Sequence, residues 1–332
     1  MIDEQVSAVA LAPTASTPWW RSAVRRGMVG QQSTLVLVIV VLAIVGGLKN
    51  SIFFSHDNLV EILKAATLYF IAACPATLIL TMATLDLSVG AIYAAGAVVA
   101  GEFMNHGVPW PLAILLGMVF GGVVGSVNGV LIETVNIPPF ITTLATFFAI
   151  DGLTSAATGG NNLFGFPSGF NAIGGQAIWI AVVIGIIFHL VLTRSQYGYD
   201  IRAVGGNRAA AVANGIPARR LSIWMFVISG AVSALAGIVL ASQLASASPS
   251  VGGPSFTFQI ITAVIIGGTS LFGGRGTIIG TALGVLLFSE IDNVLSILNV
   301  NPLYSEVAVG AILIAAVGTD QLRRRRQFAM SH

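Results

Sequence analysis

Several stretches of this chain are too long and too apolar to be core helices of a soluble domain, and they limit the possible folds more than any other feature. Thr34 to Leu48, Leu59 to Leu80, Leu112 to Ile132, Ile178 to Leu192 and, with its flanks, Ile278 to Phe288 approach or reach the roughly 20 residues that cross a bilayer as a helix. Charged residues make up only 8% of the 332, against about a quarter in soluble domains. So few charges could not cover a globule of this size, and mean hydropathy is +0.90. The reading is an all-α fold: a polytopic membrane helical bundle.

Inside a bilayer, backbone polar groups must be satisfied internally, which leaves helices or a closed barrel. The sequence lacks the alternating segments of a barrel. Its 38 glycines are dispersed through the apolar runs, where small residues let membrane helices approach closely. The single cysteine, Cys74, lies inside an apolar run and reads as a small packing residue.

Candidate spans fall at about 33–49, 59–81, 88–104, 111–134, 139–157, 176–193, 220–243, 257–271, 276–298 and 303–319. About ten transmembrane helices place both termini on one side. With that side cytoplasmic, all of the fifteen basic residues except Lys49 and Lys64 face inward, as the positive-inside bias requires. Residues 1–30 form a disordered cytoplasmic tail ending in the collar Trp19, Trp20, Arg21, Arg25 and Arg26, residues 31–320 the transmembrane domain, and residues 321–332 a basic cytoplasmic tail. The first span comes late and is not followed by a small-residue cleavage site, so it is expected to be retained. Asp57, Glu61, Glu102, Asp292 and Glu306 fall near outer ends, either as a rim for an extracytoplasmic partner or as ordinary solvated helix ends.

Four segments carry polar chemistry. In TMATLDLSVGAIYAAG, Thr81 to Gly96, Asp86 and Ser88 stand between two apolar runs. Either can cap the helix that follows; an ionisable residue at membrane depth can equally border a transport pathway. In NIPPFITTLATFFAIDGL, Asn136 to Leu153, Pro138 and Pro139 start a helix. Thr142, Thr143, Thr146, Phe147 and Asp151 then form a polar and aromatic stripe, which either lines a passage or packs with the hydroxyls closed on the preceding turn. The glycines of AVIIGGTSLFGGRGTIIGTALG, Ala263 to Gly284, read as a tight cytoplasmic turn held inside by Arg275. They do not fit the phosphate-binding pattern G-x-x-x-x-G-K-[ST].

The fourth segment, 194–220, is the long charged interruption and holds Arg194, Arg202, Arg208, Arg219 and Arg220. Asn207 is suited to cap an alanine-rich run from Arg208 to Asn214, Gly215 to the left-handed position after it, and Pro217 to stop continuation. Such a two-turn helix needs other contacts to persist; it is either a connector or a docking element. The histidines are scattered at His56, His106, His189 and His332, and no metal-ligand spacing, G-x-S-x-G or H-E-x-x-H is present.

Together LDLSVG at 85–90, IPPFITTLAT at 137–146, AVGGNRAAAVANGI at 203–216 and VIIGGTSLFGGRGT at 264–277 resemble the permease subunits of bacterial sugar ABC importers, most closely the ribose, xylose and arabinose type. The likeness runs from about residue 35 to the tail. It implies a ten-helix, non-catalytic subunit of the inner membrane that pairs with a second permease and forms the pathway for a monosaccharide or related polyol. It further implies a separate cytoplasmic ATPase, which uses ATP and Mg that this chain does not itself bind. A periplasmic or lipid-anchored binding protein delivers the sugar; membrane lipid is the remaining partner, and nucleic acid is not one. By the same resemblance, Asn207, Arg208, Ala209, Ala210, Asn214 and Gly215 form the helix that couples to the ATPase. The family usually has two glycines and an isoleucine just before the Asp, where this chain has Ala83, Thr84 and Leu85, which should stiffen the break before Asp86. A branched-chain amino-acid permease and an ion-coupled secondary transporter are the rival readings.

Overall fold

The computed structural model describes residues 19–300 and, beyond them, Tyr304, Val307, Gly310, Ala311, Ile314 and Gly318, with side chains from Gln32 onward. The tail before residue 19, most of the tenth expected span at 303–319 and the basic tail 321–332 lie outside the described residues. The helices are α1 (Trp19–Lys49), α2 (His56–Thr81), α3 (Val89–Asn105), α4 (Trp110–Thr134), α5 (Pro139–Thr158), α6 (Ser168–Asn171), α7 (Ala177–Arg194), α8 (Gln196–Gly206), α9 (Arg208–Ala213), α10 (Ala218–Leu244), α11 (Pro254–Ile266) and α12 (Ile278–Ile297). Short 3-10 turns, Ser51–Phe54 and Ala172–Gln176, precede α2 and α7. Among the described residues, 7 segments are long and apolar enough to cross a membrane.

Local chemistry sets the starts and stops. Ser55 caps α2 by accepting from Asn58 N. Pro139 and Pro254 open α5 and α11, where a missing N–H is harmless. Gly159 ends α5 at φ 60°. Pro75 sits inside α2 and frees a carbonyl one turn earlier.

Two expected spans, 88–104 and 257–271, are shorter than a full crossing: α3 has 17 residues and α11 has 13, about 25 and 20 Å of helix. Each follows a non-helical stretch, 82–88 and 245–253. The two helices begin side by side. Gly90 N donates to Thr257 Oγ1 at 3.1 Å, and a side chain at either Gly90 or Gly252 would strike the other's carbonyl oxygen. One half-span therefore starts where the other starts and runs the opposite way, so the stretch 246–253, between the expected spans 220–243 and 257–271, reaches back to meet α3. Positive φ at Ala83 (60°) and Ala245 (50°) turns the chain out of α2 and α10.

The core is built around α10. Its glycine and small-residue faces meet α4 and α3 at backbone distance: Gly230 against the Gly121 carbonyl, Gly125 against the Phe226 carbonyl, Gly129 against Ile223, Gly237 against the Tyr93 carbonyl and Gly96 against Ala234. Close approach of this kind replaces the hydrophobic driving force that lipid cannot supply. Tyr93, Phe226, Ile238 and Ile92 are fully enclosed there. On the other side of α4, Leu112, Leu115, Val119, Val123 and Val130 are exposed, the apolar stripe of a helix facing lipid. Peripheral α1 packs on α12 and exposes Leu37, Val40, Val41 and Leu48.

Among the described side chains, Arg194, Arg202, Arg208, Arg219, Arg220 and Arg275 lie at one end of the bundle. There Gly274 N donates to the Thr81 carbonyl at 2.8 Å, and Gly205 of α8 fits against that same carbonyl. The end of α2, the end of α8 and the 269–277 turn thus form one joint. At the opposite end, Asn58 and Asn293 exchange side-chain hydrogen bonds at 3.1 and 2.7 Å, and Leu163 pairs with Ala247 through two backbone bonds of 2.8 and 3.0 Å.

Candidate functional site

At the arginine-bearing end, the 194–220 segment folds as two helices rather than one helix in a loop. The first, α8, is capped by Ser195, which accepts from Gly198 N at 3.2 Å. It buries Gly198, Ile201, Val204 and Gly205 and leaves Tyr197 and Tyr199 exposed. Arg202 is half-buried on α8, and loss of hydration lowers its guanidinium from the usual value. The second, α9, is bounded as its sequence dictates: Asn207 Oδ1 accepts from Ala210 N at 3.0 Å, Asn214 stands at the C-cap and Gly215 adopts φ 83°.

A two-turn helix is unstable alone, and the structure shows what holds this one. Ala211 is its single buried residue, packed into the cluster of Ile132, Ile201, Leu221 and Met225. Arg208 forms an ion pair with Glu133 at the end of α4, and Arg219 at the start of α10 donates to Thr134 Oγ1 at 2.8 Å. Both anchors lie on the last turn of α4. Asn207, Arg208, Ala209, Ala210, Asn214 and Gly215 are exposed.

A second polar site is buried where the α2–α3 break crosses the bundle. Asp86 is 2% exposed. Its Oδ1 accepts from Ser88 N at 3.0 Å and Ser88 Oγ at 2.6 Å, and its Oδ2 from Ser229 Oγ of α10 at 3.0 Å. Ser88 Oγ accepts in turn from Asn128 Nδ2 of α4 at 2.9 Å, and Asn128 Oδ1 accepts from Thr146 Oγ1 of α5 at 2.6 Å. Four parts of the fold are joined by one chain. Its donors run in a single direction, Thr146 to Asn128 to Ser88 to Asp86, and Ser229 reaches the same carboxylate from the other side. Ser229 lies about 16 Å along α10 from its start, so the chain sits well inside the bundle.

Of the residues singled out from sequence, Asp86, Ser88 and Thr146 belong to this chain. Asp86 rather than Ser88 supplies the side-chain acceptor before α3, since the Ser88 side chain makes no cap bond. Thr142 and Thr143 are buried and bond to the Pro138 and Pro139 carbonyls of their own helix, at 3.2 and 2.9 Å. Phe147 is buried and meets Phe148 edge-on. Asp151 is half-exposed farther along α5. Sequence reasoning passed over Asn128 and Ser229, the links to α4 and α10; a lone Asn among the apolar residues of GSVNGVLI was the available signal.

The expected outer acids divide. Asp57 and Glu61 are exposed, Glu61 pairing with Lys64 at 3.0 Å, and Glu102 lies 3.7 Å from His106. Asp292 is half-buried, and Glu306 is outside the described residues. Among the described residues no group of three or more His, Cys, Asp or Glu could hold a metal ion.

Residues 58–317 match the family described as branched-chain amino acid transport system / permease component. The chain is 32% identical over 301 residues to the ribose import permease protein of Haemophilus influenzae, covering 87% of this chain and 93% of that one. It is 34% identical over 297 residues to the D-allose transport system permease protein of Escherichia coli, with 87% and 91% covered. It is 37% identical over 294 residues to the ribose import permease protein of Bacillus subtilis, with 86% and 91% covered.

Proposed function

Because the chain belongs to the branched-chain amino acid transport system permease component family, and its similar proteins include ribose, D-allose and L-arabinose permeases, we propose that it forms the translocation pathway for a monosaccharide or related polyol in an ABC importer. It is a multi-pass protein of the bacterial inner membrane. The chain itself is non-catalytic: ATP and Mg serve a separate ATPase, a binding protein delivers the sugar, and a second permease completes the pathway. Ten spans place both tails and the arginine-bearing end in the cytoplasm.

The observation that carries this reading is the capped, half-anchored helix α9. A helix held through Ala211, Glu133 and the start of α10, with its remaining surface open, is built to receive force from a docked partner and pass it to two long spans. Asn207, Arg208, Ala209, Ala210, Asn214 and Gly215 are its coupling surface. Asp86, Ser88, Thr142, Thr143, Thr146, Phe147 and Asp151 are assigned to the pathway and its wall. Their arrangement supports two roles: the buried hydroxyls, Thr146 and Asp86 hold the wall in place, and half-exposed Asp151 is left to meet sugar hydroxyls.

Competition in vesicles carrying the complete assembly tests the substrate class. Unlabelled D-ribose, D-allose or L-arabinose should suppress uptake of one of these labelled sugars, and leucine should not. Leucine uptake without sugar uptake would assign the chain to amino-acid transport instead.

A further inference from the structure

The chain of hydrogen bonds ending on Asp86 does more than satisfy a buried carboxylate. Asn128 stands on α4 about one and a half turns from Glu133 and Thr134, the residues that hold Arg208 and Arg219. Its amide forks: Nδ2 donates to Ser88 at the α2–α3 break, and Oδ1 accepts from Thr146 on α5. Asn128 itself is fully buried. On either side of that fork, α4 is packed on α10 by glycine at Gly125 and Gly129, each against α10 backbone, and Gly129 lies between the fork and the anchors. Such contacts leave little room for the two helices to slide, so α4 and α10 move as one body.

The contacts of α5 with that body are different. It packs on α3 and α4 but exposes Phe140, Ile141, Phe148 and Leu153. Thr142, Thr143, Thr154 and Thr158 all bond within α5 itself. Thr146 is the threonine of α5 whose hydroxyl reaches another helix, and it is half-buried. Among these threonine hydroxyls, its bond to Asn128 is therefore the directional tie between α5, exposed on one face, and the closely packed α4–α10 pair.

We propose that Asn128 is a positioning residue that transmits movement of the coupling helix, through the last turn of α4, to α5 and to the α2–α3 break. This rests on the assignment of α9 as the ATPase-docking helix. Because Asn128 accepts on one side and donates on the other, it fixes both attached segments to one orientation of its amide, and a residue that only fills the space cannot do this. Removing Thr146 Oγ1 should uncouple α5 while leaving α9, Glu133 and Thr134 intact.

The test uses the complete complex with its ATPase in lipid nanodiscs. Cys74 is replaced by alanine, and a spin label is placed through Val212→Cys on α9 or Leu153→Cys on α5, both exposed sites. In the parent, Mg-ATP with vanadate should change the label signal at both positions. In Thr146→Val and Asn128→Leu the α9 change should persist, while the α5 change falls by about fivefold, the bias that one hydrogen bond supplies. Thr146→Ser should restore it. Equal responses at both labels in Thr146→Val, or a parent α5 label that never responds, would overturn the inference. A parent α9 label indifferent to nucleotide would instead overturn the assignment of α9, and the inference with it. Thr146→Val alters one half-buried hydroxyl and preserves shape, so it remains informative if Asn128→Leu fails to insert.

Discussion

Replacing Asp86 by alanine and, separately, by asparagine distinguishes the geometry of the buried chain from its charge. The carboxylate accepts three hydrogen bonds of 3.0, 2.6 and 3.0 Å. Alanine removes the acceptor common to all three. Ser229 can turn its hydroxyl onto the preceding turn of α10, but Ser88 N–H and Ser88 Oγ, which already accepts from Asn128, lose their partner. Two buried donors left unpaired correspond to about 2–6 kcal/mol. The lower half of that range applies because a disordered chain in lipid also finds partners; about 2–4 kcal/mol is expected. Asparagine retains Oδ1 for Ser88 and presents an amide to Ser229, whose hydroxyl can rotate to accept. It forfeits charge assistance, about half the strength of each bond, so its loss should be about 1–2 kcal/mol. Reversible SDS-driven unfolding in lipid–detergent micelles, followed by circular dichroism, measures both. Equal destabilisation by the two variants would refute the reasoning, because it would mean that the charge and not the hydrogen-bond pattern holds the break. So would an alanine variant as stable as the parent.

The glycine contacts between α4 and α10 predict opposite outcomes at adjacent sites. Gly230→Ala drives a methyl into the Gly121 carbonyl and should destabilise by about 1–3 kcal/mol. Gly122→Ala meets Val227 Cγ1 at an ordinary 3.6 Å and should be neutral or raise stability by up to about 1 kcal/mol through helix propensity; the same SDS titration reads both. Ala83 occupies a left-handed conformation at φ 60°, at a place where the resembling family has glycine. Ala83→Gly should therefore gain about 1 kcal/mol or less, seen as a higher unfolding midpoint. Arg208→Glu with Gly215→Pro sets Glu133 against a second carboxylate and forbids φ 83° after α9. This double variant should insert normally yet lose ATPase co-purification and uptake, checked by pull-down and transport on the same membranes.

The parts of the fold legible in the sequence are those fixed by neighbours in the chain. Apolar length located the spans, Pro138 and Pro139 opened α5, and Asn207 with Gly215 bounded α9 because caps act over three or four residues. The 194–220 interruption concealed α8, since Gly198, Gly205 and Gly206 look like loop residues until Gly205 is seen against the Thr81 carbonyl. The half-span ending in α11 was hidden for a related reason. The stretch ASASPSVGGPS at 245–255 has loop composition, yet Gly252 is there so that backbone can touch Gly90. Asp86 was visible as an anomaly, but its role depends on partners at Asn128, Thr146 and Ser229, and side-chain pairs so far apart in sequence carry no periodic signal.

In the proposed mechanism, movement through this chain is driven by ATP hydrolysed on another subunit. Labelled D-ribose, D-allose and L-arabinose uptake should be measured in proteoliposomes holding the chain alone, or the chain with its ATPase and binding protein, with ATP or an imposed ion gradient as the energy source. Under this mechanism at least one sugar should enter only with the complete assembly and ATP, and none should enter through the chain alone under a gradient. Uptake by the purified chain alone, driven by an ion gradient and indifferent to ATP, would contradict it.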